Sequence, residues 1–290
     1  MVISKNFRTF VKIEFFVGMA ETTKKILFVN SEIFPYLPES EISTVGRFLP
    51  QGIQERKKEI RSFMPRFGCI NERKNQLHEV IRLSGINIVI GDVDHPLVIK
   101  VASIPAARIQ VYFIDNEDYF RRKAVYADAE GRFFSDNDER AIFFAKGVLE
   151  TVKKLRWAPD IIHCQGWISH LVPVYLKKVF RDDPIFSSSK VVLSLYNDIP
   201  EVSFPDNFAA KALAGSLRTE DLPISGKPDG IKLAETAAKY SDGIILASPD
   251  LDPKLVKYCK ALKVPVLPYK AGSIEDGSYI DDYNALYDKL

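Results

Sequence analysis

The chain has 290 residues, 46% of them hydrophobic, with 40 basic and 38 acidic residues and a formal net charge of +2. This is an ordinary globular composition with room for a sizeable core, and a charge balance so near zero argues against an electrostatic nucleic-acid partner. The cysteines Cys69, Cys164 and Cys259 form no CxxC pair and the four histidines no HExxH pair, so a reducing, cytoplasmic setting is expected and a metal framework is not.

Residues 1–23 carry positive charge and an apolar run broken by Lys12 and Glu14. That run is too short for a membrane span and poor as a signal core, so a disordered extension or a start at Met19 is expected, with no membrane partner. From residue 24 to about 270 the sequence reads as one domain. Short apolar runs without alternation stand at Lys25–Val29, Asp160–His163, Val191–Leu195 and Gly243–Ala247, with a weaker fifth at Val264–Leu267. Strands buried on both faces read this way, as in parallel sheets covered by helices.

Residues 79–116 are rich in β-branched side chains with Gly-Asp and Asp-His-Pro turn signals, which predicts an antiparallel excursion of about three strands. A helix is predicted over Asp136–Leu155, capped by Ser135 with Asp138 as its acidic partner, and with Ile142, Ala145, Leu149 and Val152 on one face. Further helices are predicted at Leu171–Val179, Lys232–Tyr240 and Pro253–Leu262. Loops are predicted at Pro184–Ser189 and Ile199–Lys227, the latter around a short helix at Asn207–Leu217. The tail, 271–290, can pack as a helix through Tyr279, Tyr283, Leu286 and Tyr287. The fold class is therefore α/β: a Rossmann-like parallel sheet flanked by helices, with an antiparallel β excursion.

In such a sheet the ligand crevice lies outside the carboxyl ends of the strands. The polar residues expected there are Asn30, Ser31 and Glu32; His163, Gln165 and Trp167; Ser194, Tyr196 and Asn197; and Ser248 and Asp250. Each also has a plainer role: Ser31 and Ser248 as helix caps, His163 as a backbone hydrogen-bonder, Trp167 as core. An indole at that rim would suit the C–H face of a sugar. There is no GxSxG, GxGxxG or P-loop, and no glycine between Ser31 and Thr44, so a hydrolase elbow and a dinucleotide fold are both disfavoured.

These residues resemble the N-terminal half of ADP-glucose-dependent bacterial glycogen and starch synthases, glycosyltransferase family 5. The similarity lies in Ser31, Glu32, Phe34 and Pro35 after the first strand and in a helix whose motif ends in Leu49-Pro50. It continues in Tyr119-Phe120-Arg121-Arg122, in Asp136-Asn137 with Arg140 and Phe143, in Trp157 to His163, and in Ser241 to Pro249. The resemblance extends to a short form, found in Bacteroidetes-like bacteria, that carries the same PYLPESE loop. The resemblance implies one half of a GT-B architecture and glucosyl transfer from ADP-glucose to an α-1,4-glucan, with ADP-glucose as donor substrate and no further cofactor. It implies substrate contacts by Ser31, Glu32, Asp136, Asn137, His163, Gln165, Trp167 and Asn197, and names no catalytic residue in this half.

The sequence also departs from the pattern. Where the family has Lys-x-Gly-Gly-Leu stand Pro38, Glu39, Ser40, Glu41 and Ile42, and Glu41 would repel a diphosphate. Gln165 and Gly166 replace the second His and the Asp of His-x-His-Asp-Trp, and Leu195-Tyr196-Asn197 replaces Ile-His-Asn. Because the family's second domain carries most of the donor site and an essential Glu, a separate synthase chain or C-terminal domain is expected as a partner, besides the α-glucan. The alternative is a catalytically silent glucan-binding or regulatory relative.

Overall fold

A computed structural model describes residues 23–213, 217–222 and 228–290. The expected N-terminal extension and parts of the 199–227 loop lie outside them.

The strands are β1 (Lys25–Asn30), β2 (Glu59–Pro65), β3 (His78–Glu79), β4 (Ile86–Ile90), β5 (Val93–Ile104), β6 (Ile109–Asp115), β7 (Ile161–Gln165), β8 (Lys190–Leu195), β9 (Gly243–Leu246) and β10 (Val266–Leu267). The helices are α1 (Glu41–Glu55), α2 (Glu117–Phe120), α3 (Asn137–Leu155), α4 (Val172–Lys178), α5 (Phe208–Leu213), α6 (Gly230–Lys239), α7 (Pro253–Ala261), α8 (Ser273–Asp276) and α9 (Tyr279–Lys289). The sheet runs β10-β9-β8-β7-β1-β2-β6-β5-β3, with β4 paired on β5. Every pairing from β10 to β6 is parallel, and β5 is antiparallel to β6, β4 and β3. The predicted excursion is present, but its last strand, β6, is itself a parallel partner of β2. Chain order reverses at β1, whose neighbours are β2 on one side and β7 on the other.

Strand β2 was not legible as a strand. Its first half reads Glu-Ile-Arg, a surface pattern. The structure partners these charges with aromatics while leaving Glu59 exposed: Trp157 Nε1 donates to Glu59 Oε1 at 2.6 Å, and the half-buried Arg61 guanidinium lies 5.0 Å from the Trp157 ring centre. Strands β1, β7, β8 and β9 have the expected near-continuous burial because both faces are covered, while the edge strand β10 is only half-buried. On one face Leu27, Val29, Ile162, Cys164, Val191 and Leu193 pack with α3, α4 and α6. On the other, Ile26, Phe28, Ile161, Val192 and Tyr196 pack with α1 and α9.

One helix expectation is corrected. Helix α3 is not capped by Ser135: the cap position is Asp136, which makes no capping bond, and Asp138 faces Lys211 instead. Helix α1 carries the Leu49-Pro50 pair inside it and runs on to Glu55, because Leu49 and Ile53 continue its buried stripe and offset the proline's lost hydrogen bond. Its start is a capping box between Ser40 and Ser43.

The tail forms α9 and buries Tyr279, Tyr283, Leu286 and Tyr287, as its spacing predicts. It is tied to α1 and its following turn by Arg56–Asp281 and Lys58–Asp288, and Lys24 Nζ donates to Tyr287 O at 2.7 Å. Among the described residues no helix is long and apolar enough to cross a membrane.

Candidate functional site

The crevice defined by the strand order lies over the carboxyl ends of β1, β7, β8 and β9. Its floor is a buried hydrogen-bond relay. Tyr196 OH donates to Gln165 Oε1 (3.1 Å), Gln165 Nε2 donates to Asn30 Oδ1 (2.8 Å), and Asn30 Nδ2 reaches Phe63 O (3.5 Å). Gln165, a residue singled out in the sequence, is thus fully buried and partnered on both sides.

The other candidates divide sharply. His163 is not on the rim. It lies one pleat below, with Nε2 2.7 Å from Ser194 Oγ and Nδ1 2.6 Å from Tyr287 OH, and α9 seals it from solvent. Burial alone pushes its imidazole down to about 3, so it is neutral at physiological pH. Tyr287→Phe should cost roughly 1 kcal/mol in urea unfolding, because it strands a buried ring nitrogen; an unchanged midpoint would remove this contact from the stabilising set.

Trp167 is 1% exposed and enclosed by Tyr126, Phe133 and Phe204, with centroids 4.9, 5.7 and 5.9 Å away. It does not present a free face to a sugar in this structure. Asn137 is buried and holds the loop before α3, donating to Tyr126 O at 2.7 Å, while Asp136 is paired with Arg122. Glu32 accepts from Ser40 Oγ at 2.7 Å, linking the end of β1 to the start of α1. Neither Ser31 nor Ser248 caps a helix, since Ser40 and Asp252 do so.

Sequence reasoning missed Asp198. Its Oδ2 accepts the Trp167 backbone N–H at 2.8 Å, and its Oδ1 is buried without a partner, as is Ser31 Oγ. Both side chains converge on Gly166, whose φ of +81° is glycine territory. A Cβ there would stand 2.0 Å from Ser31 Oγ and 3.0 Å from Asp198 Oδ2. The acid missing at position 166 thus has a neighbour supplied from the end of β8, visible in sequence only as an aspartate just past a strand.

Burial, and secondarily the Glu32 charge, pushes the Asp198 carboxyl up to about 7. The folded state therefore keeps a proton that the unfolded chain releases, and this group's contribution falls as pH rises from about 4 to about 7. Asp198→Asn should be more stable than wild type at pH 7–8 by up to a few kcal/mol, at about 1.4 kcal/mol per pKa unit. The gap should close near pH 4, and thermal melts at the two pH values check it.

The accessible part of the rim is a cavity of about 680 Å³ lined by Glu39, Glu41, Asn197, Ser248, Asp250 and Tyr269, together with Glu275 and neighbouring residues. Ser248 Oγ bridges the Asn197 N–H (3.3 Å) and Glu41 Oε2 (3.4 Å). Desolvation raises the Glu41 pKa. Among the described residues the lining carries carboxylates and no lysine or arginine. It therefore disfavours a diphosphate and offers hydrogen-bond acceptors to hydroxyl groups.

An α/β half-sheet with its ligand crevice at the β1/β7 reversal is the class of structure that these features define. The sequence model described as the starch synthase catalytic domain matches residues 25–257, and the chain belongs to that family. It is 35% identical to a glycogen synthase of Chlorobium luteolum over 236 residues, 78% of this chain and 48% of the relative. It is 35% identical to that of Chlorobaculum tepidum over 251 residues, 84% and 51% respectively. The chain thus spans about half the length of these curated relatives. Its fold matches the catalytic domain of Starch Synthase IV from Arabidopsis thaliana, solved with ADP and acarbose, at a TM-score of 0.67 and 16% identity, over 87% of this chain and 52% of that one. The sheet is accordingly one half of a GT-B architecture.

Proposed function

We propose that this chain works in glycogen or starch synthesis as the acceptor-holding half of a glucosyltransferase, with ADP-glucose as donor and an α-1,4-glucan as acceptor. The observation that carries this reading is the family match from β1 into α7, which takes in every parallel strand except β10. The acidic crevice supports the acceptor assignment, because carboxylates accept from sugar hydroxyls while repelling nucleotide phosphates. The donor's phosphates then fall to a C-terminal half, on the same polypeptide or on a separate synthase chain. The free state of Cys69, Cys164 and Cys259 supports a cytoplasmic setting.

In this reading Asn197 and Ser248 touch the glucan from the crevice, Glu32 and Gln165 fix the ends of β1 and β7, and Asn137 and His163 hold the scaffold beneath. The test is retention of the chain on glycogen, followed by transfer of radiolabelled glucose from ADP-glucose with and without a C-terminal synthase half. Retention alone, with transfer only when the second half is added, is expected. Absence of both retention and stimulation would sink the proposal. Tyr269→Ala should weaken glycogen retention severalfold, since this 37% exposed ring is the aromatic face in the acidic crevice.

A further inference from the structure

Beside the crevice lies a second cavity, of about 340 Å³, a small-ligand size. Its walls include Phe133, Phe134 and Phe204, its mouth carries Ser135 and Ser203, and Asp138 also lines it. The Asp138 side chain is fully buried. Its Oδ2 is paired with the Lys211 ammonium, and its Oδ1 has no hydrogen-bond partner. A buried acceptor left unpaired costs free energy unless something donates to it. Among the described residues the cavity lining contains no cation, and the nearby Lys211 ammonium is taken up by Asp138 and Glu139, so the lining favours a neutral ligand over a phosphate. Flat apolar walls around one deep acceptor and two hydroxyls are the complement of a neutral ring with a C–H face and an O–H edge.

We propose that this cavity is a hexose subsite for an α-glucan, and that the sugar-facing aromatic surface here belongs to Phe133, Phe134 and Phe204 rather than to Trp167, which Phe133 and Phe204 cover. It rests on the glucan reading above and adds a separate point of attachment. The loop leaving β8 joins the two: Asn197 faces the acidic crevice, and Ser203 and Phe204 face this cavity. A glucan chain engaging both would gain from linkage without any stronger single contact.

Phe134 is the residue to change. It is half-buried and braced by the Arg122 guanidinium 4.2 Å from its ring centre, whereas Phe133 and Phe204 support the Trp167 cluster. Maltoheptaose binding to the full chain, measured by calorimetry, should weaken about tenfold in Phe134→Ala, the value of one ring contact. Phe134→Tyr, which keeps the plane, should restore it, and Asp138→Asn should weaken binding with the fold intact by circular dichroism. Wild-type affinity in both Phe134→Ala and Asp138→Asn overturns the subsite while leaving the glucan reading standing. No maltoheptaose binding by the wild type overturns that reading and this one with it. Should Phe134→Ala fail to fold, Asp138→Asn decides.

Discussion

Gly166→Ala is expected to lower stability by roughly 3–5 kcal/mol in urea unfolding, summing a glycine-only backbone conformation and an overpacked contact. The backbone part follows from φ +81° with ψ 152°. The contact part follows from Ser31, whose Cβ and Oγ would lie 2.6 and 2.0 Å from the added carbon. The two parts separate experimentally. In a Ser31→Gly background the same substitution should cost distinctly less, because the severe clash is gone, leaving the backbone part and a tight 3.0 Å contact with Asp198 Oδ2. A Gly166→Ala protein within 1 kcal/mol of wild type would mean that the turn relaxes freely and that the rim is not held as described. Ser31→Ala alone should be close to neutral, since the hydroxyl it removes has no partner.

The second large effect is an acid limb. His163 and His170 are both buried and both pushed down to about 3 by desolvation. The unfolded chain binds protons at these sites near pH 6.5 while the folded one does not, so stability is present above about pH 6.5 and is lost as pH falls toward 3. Two such groups give a slope of about 2.7 kcal/mol per pH unit, and Asp198, with its opposite sign, offsets about half of that between pH 4 and 6.5. Against a domain stability of roughly 5–15 kcal/mol, the protein should unfold cooperatively on acidification before either histidine titrates in the folded state.

Tryptophan fluorescence against pH, with urea midpoints at several pH values, measures this. His170→Met should remove one of the two protons taken up, at little cost in hydrogen bonding because neither ring nitrogen of His170 has a partner. Asp198→Asn should steepen the limb above pH 4. A flat profile from pH 7 to 4 would contradict the assignment of neutral buried imidazoles.

The parallel core was legible because its runs are apolar without alternation, and only burial on both faces makes such a pattern common. The α9 stripe was legible for the same reason, from Tyr279, Tyr283, Leu286 and Tyr287. The site was legible in place but not in role. His163 and Trp167 sit in the motif that drew attention, yet one is locked under α9 and the other walled in by rings from 126, 133 and 204. Those partners are remote in sequence, so spacing within a motif carries no trace of them. Asp198 escaped because its significance depends on a glycine 32 positions earlier, and β2 because its Arg61 is held by Trp157 and Tyr112, partners remote in sequence.

The relay from Tyr196 through Gln165 and Asn30 to Phe63 runs at right angles to the strands and touches β8, β7, β1 and β2. It acts as a cross-tie. Backbone hydrogen bonds hold neighbouring strands edge to edge, but a sheet can still shear along them, and the reversal between β1 and β7 is where a crevice would widen by such sliding. Side-chain bonds that bridge β8 to β7 and β7 to β1 resist that displacement. The floor of the crevice is therefore mechanically stiff, and adjustment to a ligand falls to the loops after β1, β8 and β9.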